Sequence, residues 1–222
     1  KKAEETFKMA MSLNPGLIDN YIALSDMAYE RGDIDEAIEF LNLGSQYNKT
    51  NFDLVVRAAK YQREKKEYDQ AILTLESIEI NDEKIELMLG KEIFMIYLEQ
   101  EKYLEAISIG SRIVEQMFNS AKIDDAVLAE TCYNVAICNR YLGYESYNKI
   151  VDMINQGIDD KDVLSQSLED ANQAIKYFKT SKERFYDASS FDPDDQKSAG
   201  YAKDLNQLIK QIKKLFIPQI KD

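Results

Sequence analysis

Residues 17–46 read LIDNYIALSDMAYERGDIDEAIEFLNLGSQ, and this stretch decides the fold. Tyr21, Leu24, Ser25 and Ala28 stand at i, i+3, i+4 and i+7, which is one face of an amphipathic helix. Arg31-Gly32-Asp33 then breaks the pattern with polar residues and a glycine. Ala37, Leu41 and Gly44 open a second helical face, spaced four and three and graded small, large, small. The segment is a helix, a short turn and a second helix.

The same unit recurs on both sides. Ala3-Phe7-Ala10, Ala71-Leu75-Ile78 and Ser181-Phe185-Ala188 repeat the second-helix spacing, and Ala106-Gly110-Ile113 keeps it with the sizes altered, Gly110 standing where the large residue belongs. With Ala37 included, the leading positions are spaced 34, 34, 35 and 75. The first-helix pattern recurs at Val55-Ala58-Ala59-Gln62 and at Gly90-Ile93-Phe94-Tyr97. Polar breaks fall at Lys65-Lys66-Glu67 and Gln100-Glu101-Lys102. Asn14-Pro15 and Asp192-Pro193 close two units, because proline does not continue a helix.

These residues resemble the tetratricopeptide repeat, a unit of about 34 residues with the pattern W-x2-L-G-x2-Y…A-x3-F…P. Here Tyr21 stands for the Trp and Ser25 for the Gly. The resemblance implies an all-α solenoid of stacked antiparallel helix pairs forming a right-handed superhelix. Each pair carries apolar residues on two faces and buries them only against neighbours. One domain is expected over 1–222. It has a lone second helix at 1–16, repeats at 17–50, 51–84 and 85–118, an enlarged repeat at 124–193 and a capping helix at 194–217. The lone helix at 1–16 implies a partner helix upstream or some other cover for Phe7.

The enlarged repeat is a hairpin of two long helices. Cys132-Val135-Ala136-Asn139 matches the first-helix pattern, but Ser181 follows 49 residues later instead of 16. One helix is expected over Asp125–Asn155, running through Gly143, because a glycine inside a helix costs only about 1 kcal/mol. The rival reading stops that helix at Gly143 and starts another near Tyr144. A turn at 157–160 leads to a second helix over about Asp162–Ser190, with a stripe of Leu164, Leu168, Ala171, Ile175, Phe178, Phe185 and Ala188. Asp194-Asp195 caps a last helix ending near Phe216, before Pro218. Its buried stripe is Leu205, Leu208, Ile209, Ile212 and Phe216.

Composition narrows the chemistry. The 222 residues contain no histidine, which excludes His-dependent catalysis and His metal ligands. Eight glycines and three prolines suit helices joined by short turns. A net charge of −12 argues against a phosphate-backbone binder, so no nucleic-acid partner is expected. No phosphate loop, nucleophile elbow or zinc spacing is present, and no cofactor, metal or catalytic residue is assigned. Asp33-x-Asp35 lacks the remaining ligands of a calcium loop. Acidic pairs such as Asp124-Asp125 read as helix caps. No stretch is apolar enough for a transmembrane helix. Cys132 and Cys138 lie about 9 Å apart along a helix axis, beyond disulfide reach, and read as reduced thiols. They favour the cytoplasm slightly and leave a periplasmic or lipid-anchored protein open if an upstream leader has been removed.

In the tetratricopeptide family the first helix of each pair lines a concave groove that receives a peptide or partner helix. Opposite the packing stripe, the groove-facing positions are Asp19, Ile22, Asp26 and Tyr29 in the first full repeat. Asp53, Val56, Arg57, Lys60 and Arg63 follow in the next, and Met88, Lys91 and Met95 in the third. The surface grades from acidic through basic to apolar. Arg57, Lys60 and Arg63, at three-residue steps, have two readings: a holder for acidic ligand groups, or a solvated face paired with Asp53, Glu64 and the acidic neighbouring repeat. Tyr133, Tyr141, Tyr144 and Tyr147 likewise read as a contact patch or as packing between the long helices. The family's chaperone-tail clamp is not reproduced, since Ile22 and Asp26 occupy equivalent positions. The expected function is protein–protein interaction, as a scaffold or adaptor. A peptide-sensing regulatory domain is the alternative, and a helical enzyme a remote one.

Overall fold

The computed structural model describes residues 2–48, 51–79, 82–120, 124–156, 161–192 and 194–216. Every regular element among them is an α-helix, placing the chain in the all-α solenoid class. In order these are α1 (Lys2–Leu13), α2 (Ile18–Glu30), α3 (Ile34–Tyr47), α4 (Phe52–Glu64), α5 (Tyr68–Glu76), α6 (Glu83–Glu99), α7 (Tyr103–Asn119), α8 (Asp125–Asn155), α9 (Lys161–Phe191) and α10 (Gln196–Phe216). They form two compact units, Lys1–Gln100 with α1–α6 and Glu101–Asp222 with α7–α10. The helix pair expected over 85–118 falls across that division, with α6 in one unit and α7 in the other.

The turns repeat with the sequence period. Gly32, Lys66 and Glu101 each have positive φ, at 82°, 61° and 56°. At the end of α2, the N–H of Asp33 donates to the Ala28 carbonyl and that of Gly32 to Tyr29. At the end of α4, Glu67 donates to Gln62 and Lys66 to Arg63 in the same way. This six-to-one and five-to-two pair satisfies carbonyls that the helix leaves open and reverses the chain within three residues. Side-chain caps open α4 and α6, while α2, α3, α5 and α7 start without one. Asn51 accepts from the Leu54 N–H at 3.2 Å and Asp82 from Lys84 at 2.7 Å.

In the first unit most residues marked by the repeat pattern are buried, and Phe40, Leu54, Val56, Leu89 and Ile96 from outside the pattern join them, while Ala3 is exposed. Leu24, Ala28, Ala37 and Phe40 pack together, with Phe7 and Met11 of α1 against them. Tyr21 is 2% exposed, and its hydroxyl donates to the Pro15 carbonyl at 3.0 Å, giving the phenol a partner in an apolar site. Gly44 is small for a reason. A Cβ there would sit 3.0 Å from the Tyr21 side chain and 3.1 Å from Leu54.

In the second unit, α8 runs unbroken from Asp125 to Asn155, so Gly143 does not end it. Its role is close approach: an added Cβ would lie 2.5 Å from Cε1 of Phe178 on α9. Gly143 meets Phe178, the Ser181 hydroxyl donates to the Ala136 carbonyl at 2.7 Å, and Tyr133 meets Phe185 edge-on at 5.7 Å. Residue numbers rise on α9 as they fall on α8, so the two long helices are antiparallel. Asp124 accepts from the Val127 N–H and caps α8. Asp195, rather than Asp194, caps α10 by accepting from Lys197 and Ser198 at 3.1 Å. Ala202, Leu205, Ile209 and Ile212 bury α10 in the core around Phe178 and Phe185. The turn expected at 157–160, Pro193 and Pro218 lie outside the described residues, as do the side chains of Leu164 and Phe216.

Candidate functional site

The first unit brings the first helices α2, α4 and α6 together, and half of the residues expected in the groove, Asp26, Tyr29, Asp53, Arg57, Lys60 and Arg63, form ion pairs, hydrogen bonds or ring contacts there. Arg57 is the central example. Its Nε lies 3.0 Å from Asp53, one turn back on α4, and its Nη1 lies 3.1 Å from Asp26 on α2. Burial works against its charge, but the Asp53 hydrogen bond and the charges of Asp53 and Asp26 outweigh it and raise the guanidinium pKa.

Lys60 and Arg63 look the other way, to α6. Lys60 Nζ is 3.2 Å from Glu92, and Arg63 reaches Glu92 at 4.0 Å and also pairs with Glu99. Beside these pairs, Tyr29 of α2 stacks on Tyr61 of α4 with centroids 4.5 Å apart and rings 12° from parallel. The Tyr29 hydroxyl donates to Glu64 at 2.9 Å, which raises its pKa. Burial raises that of Tyr61. The face is therefore a set of rungs, each joining one repeat to the next, and each of the three cations has carboxylate neighbours. Paired this way, the basic triad matches the solvated-face reading, though Lys60 remains 46% exposed at its side chain.

Other expected members stand apart. Val56 is 6% exposed and sits in the core with Ala59, Leu75, Leu89 and Ile96, so it offers nothing to a ligand. It lies on the inner edge of the helix face, one residue away from Arg57. Ile22 is half-buried against Leu41, Leu54 and Ala58. Asp19 is exposed at the start of α2. Met88 is 38% exposed, while Lys91 and Met95 are half-buried on α6. Glu64, expected to pair with the basic triad, accepts from Tyr29 instead, and sequence reasoning misses the parts played by Glu99 and Tyr61. The available signal is a complementary side chain about one repeat further along: opposite charge for Arg63 with Glu99, a second tyrosine for Tyr29 with Tyr61.

The tyrosines of the long hairpin serve packing. Tyr144 meets Phe178 edge-on at 5.1 Å, Tyr133 meets Phe185, and Tyr147 lies against the same core. Tyr141 stacks on Tyr103 of α7 at 5.0 Å and stays 50% exposed. Cys132 and Cys138 are free and buried, and burial pushes their thiols up to about 11 and about 12. Among the described residues no helix is long and apolar enough to cross a membrane.

No protein-family model matches the sequence, and no curated protein matches it. Solved structures do match the fold. MamA aligns over 85% of this chain and 90% of its own, with TM-score 0.51 and 14% identity. A TPR repeats protein, BF2334 from Bacteroides fragilis NCTC 9343, aligns over 93% of this chain and 90% of its own, also with TM-score 0.51 and 14% identity. At that identity the likeness is one of fold.

Proposed function

We propose that this chain, which has the tetratricopeptide fold, is a protein-interaction scaffold that holds a peptide or partner segment along α2, α4 and α6. One observation carries the reading: three successive first helices present a single polar and aromatic face whose side chains join across repeats. A binding segment laid along such a face meets Tyr29, Arg57 and Lys60 in turn. Arg57 uses Nε and Nη1 internally, and its Nη2 has no partner among the described residues. A ligand carboxylate or backbone carbonyl adds to that rung without displacing it. Net charge argues against nucleic acid as the ligand. The reading is of a binding protein and assigns no catalytic group.

The rungs also favour a peptide-sensing role as the second reading. A ligand that takes Arg57 from Asp26 removes a tie between two repeats, so binding and helix spacing are linked.

The test is affinity isolation of a partner with the whole chain, followed by direct titration. Arg57→Glu/Arg63→Glu is expected to weaken binding at least about tenfold, a loss of about 1.4 kcal/mol. That double change also puts like charges against Asp26, Asp53, Glu92 and Glu99, so thermal denaturation must accompany it. Lys60→Gln, which leaves most rungs in place, supplies the second arm. Unchanged affinity in both folded variants rejects the groove.

A further inference from the structure

The charge of α10 runs against that of the chain. The helix holds five lysines and one aspartate, in a protein of net charge −12. Its buried side is Ser198, Ala202, Leu205, Ile209 and Ile212. At 100° per residue, Lys203, Lys210 and Lys214 fall within about 40° of one another on the outer side, and Lys213 flanks them. All four are exposed. The stripe from Lys203 to Lys214 is about 16 Å long.

These lysines differ from the paired cations of the first unit. Lys8, Arg31, Arg57, Lys60, Arg63 and Lys65 are all bridged to carboxylates. Lys203, Lys210, Lys213 and Lys214 form no ion pair among the described residues. Lys213 and Lys214 lie in the last turn, where they complement the helix dipole. Lys203 and Lys210 lie one to three turns earlier, where the dipole gives them no role. A solubilising cap needs charge of either sign, and on an acidic protein a basic stripe lowers net charge instead of raising it.

We infer that the outer face of α10 is a docking surface for an acidic, helical or extended segment of a partner protein. Charge complementarity selects acid. The size of the stripe selects a short segment over a membrane or a nucleic-acid duplex. Charges are screened over about 8–10 Å in physiological salt, so a segment confined to the stripe feels mainly its lysines. A membrane or a long duplex presents charge far beyond the roughly 16 Å that the stripe spans. This surface lies in the second unit and stands independently of the groove on α2, α4 and α6.

The probe is a short helical peptide carrying glutamates on one face at the seven- and four-residue spacing of the lysines, titrated into the whole chain by fluorescence anisotropy. Its glutamine counterpart, phosphatidylserine-containing vesicles and a short DNA duplex are titrated in parallel. The glutamate peptide alone is expected to bind, and Lys203→Glu/Lys210→Glu/Lys214→Glu is expected to weaken it at least about tenfold. The lysines are exposed, so the reversed variant keeps its helical content, and the Lys→Arg triple keeps its affinity. Arg57→Glu/Arg63→Glu leaves this binding unchanged, which separates the two surfaces. The proposal is overturned if the triple reversal binds the glutamate peptide as well as the unaltered chain does. It is equally overturned if the peptide does not bind, or if vesicles or duplex bind through the lysines.

Discussion

Replacing Gly143 by alanine tests how the two long helices meet. In an open helix interior the change stabilises by about 0.8–1.0 kcal/mol, because alanine has less backbone freedom to lose. At position 143 the new Cβ falls 2.5 Å from Cε1 and 2.6 Å from Cδ1 of Phe178. Phe178 has no exposed surface and is wedged edge-on against Tyr144, so its ring cannot swing into solvent. Overpacking of this kind costs typically about 1–3 kcal/mol. The clash outweighs the propensity gain, and Gly143→Ala is expected to destabilise by about 1–2 kcal/mol net. Gly200 on α10 is the control. A Cβ added there would meet nothing within 4 Å, so Gly200→Ala stabilises by up to about 1 kcal/mol. Urea denaturation followed by circular dichroism reads both. The shift must appear in the transition that belongs to residues 101–222 if two transitions are resolved. Adding Phe178→Leu to Gly143→Ala relieves part of the clash, so the pair costs less than the sum of its single changes. If Gly143→Ala stabilises as Gly200→Ala does, the close approach of α8 to α9 is wrong.

Two further outcomes follow from local features. Lys66 sits at φ 61° in a turn position that glycine fills in the preceding repeat, so Lys66→Gly is expected to stabilise by about 0.5–1 kcal/mol in thermal denaturation, whereas Gly32→Ala destabilises by about as much. The Cys132 and Cys138 thiols, raised by burial from the ordinary 9.0 to about 11 and about 12, react with thiol reagents at neutral pH only on unfolding. A folded-state pKa above the unfolded one gives stability that is full below the unfolded value and lost as pH rises toward the folded one. Stability therefore falls as pH rises above about 9, and Cys132→Ala/Cys138→Ala removes part of that fall.

The parts of this fold that obey a local period are legible in the sequence. Helix–turn–helix units and their turns at Gly32, Lys66 and Glu101 follow from apolar spacing and polar breaks, whereas for α8 the sequence leaves open a break at Gly143 that the structure does not have. Helix propensity explains why Gly143 is tolerated within α8, but the cause of its presence lies in Phe178, 35 residues away on another helix. Periodicity places a residue on a face and does not name what faces it. The same limit governs the candidate site. Arg57, Lys60 and Arg63 are visible as one basic face, whereas Glu99 and Glu64, which pair with Arg63 and Tyr29, depend on how repeats register. Helical spacing puts Val56 on the outer face because the boundary between faces blurs there, and packing against Leu89 and Ile96 of α6 draws it inward. The division after Gln100 is not legible, since the period continues through it.

Hydrogen exchange of the whole chain, with and without its isolated partner, tests the central claim most directly. The account predicts slowed exchange in α2, α4 and α6, centred on the segments carrying Tyr29, Arg57 and Lys60, with α3 and α5 little changed. Protection confined to α3 and α5, or absent from all of α2, α4 and α6, would contradict it.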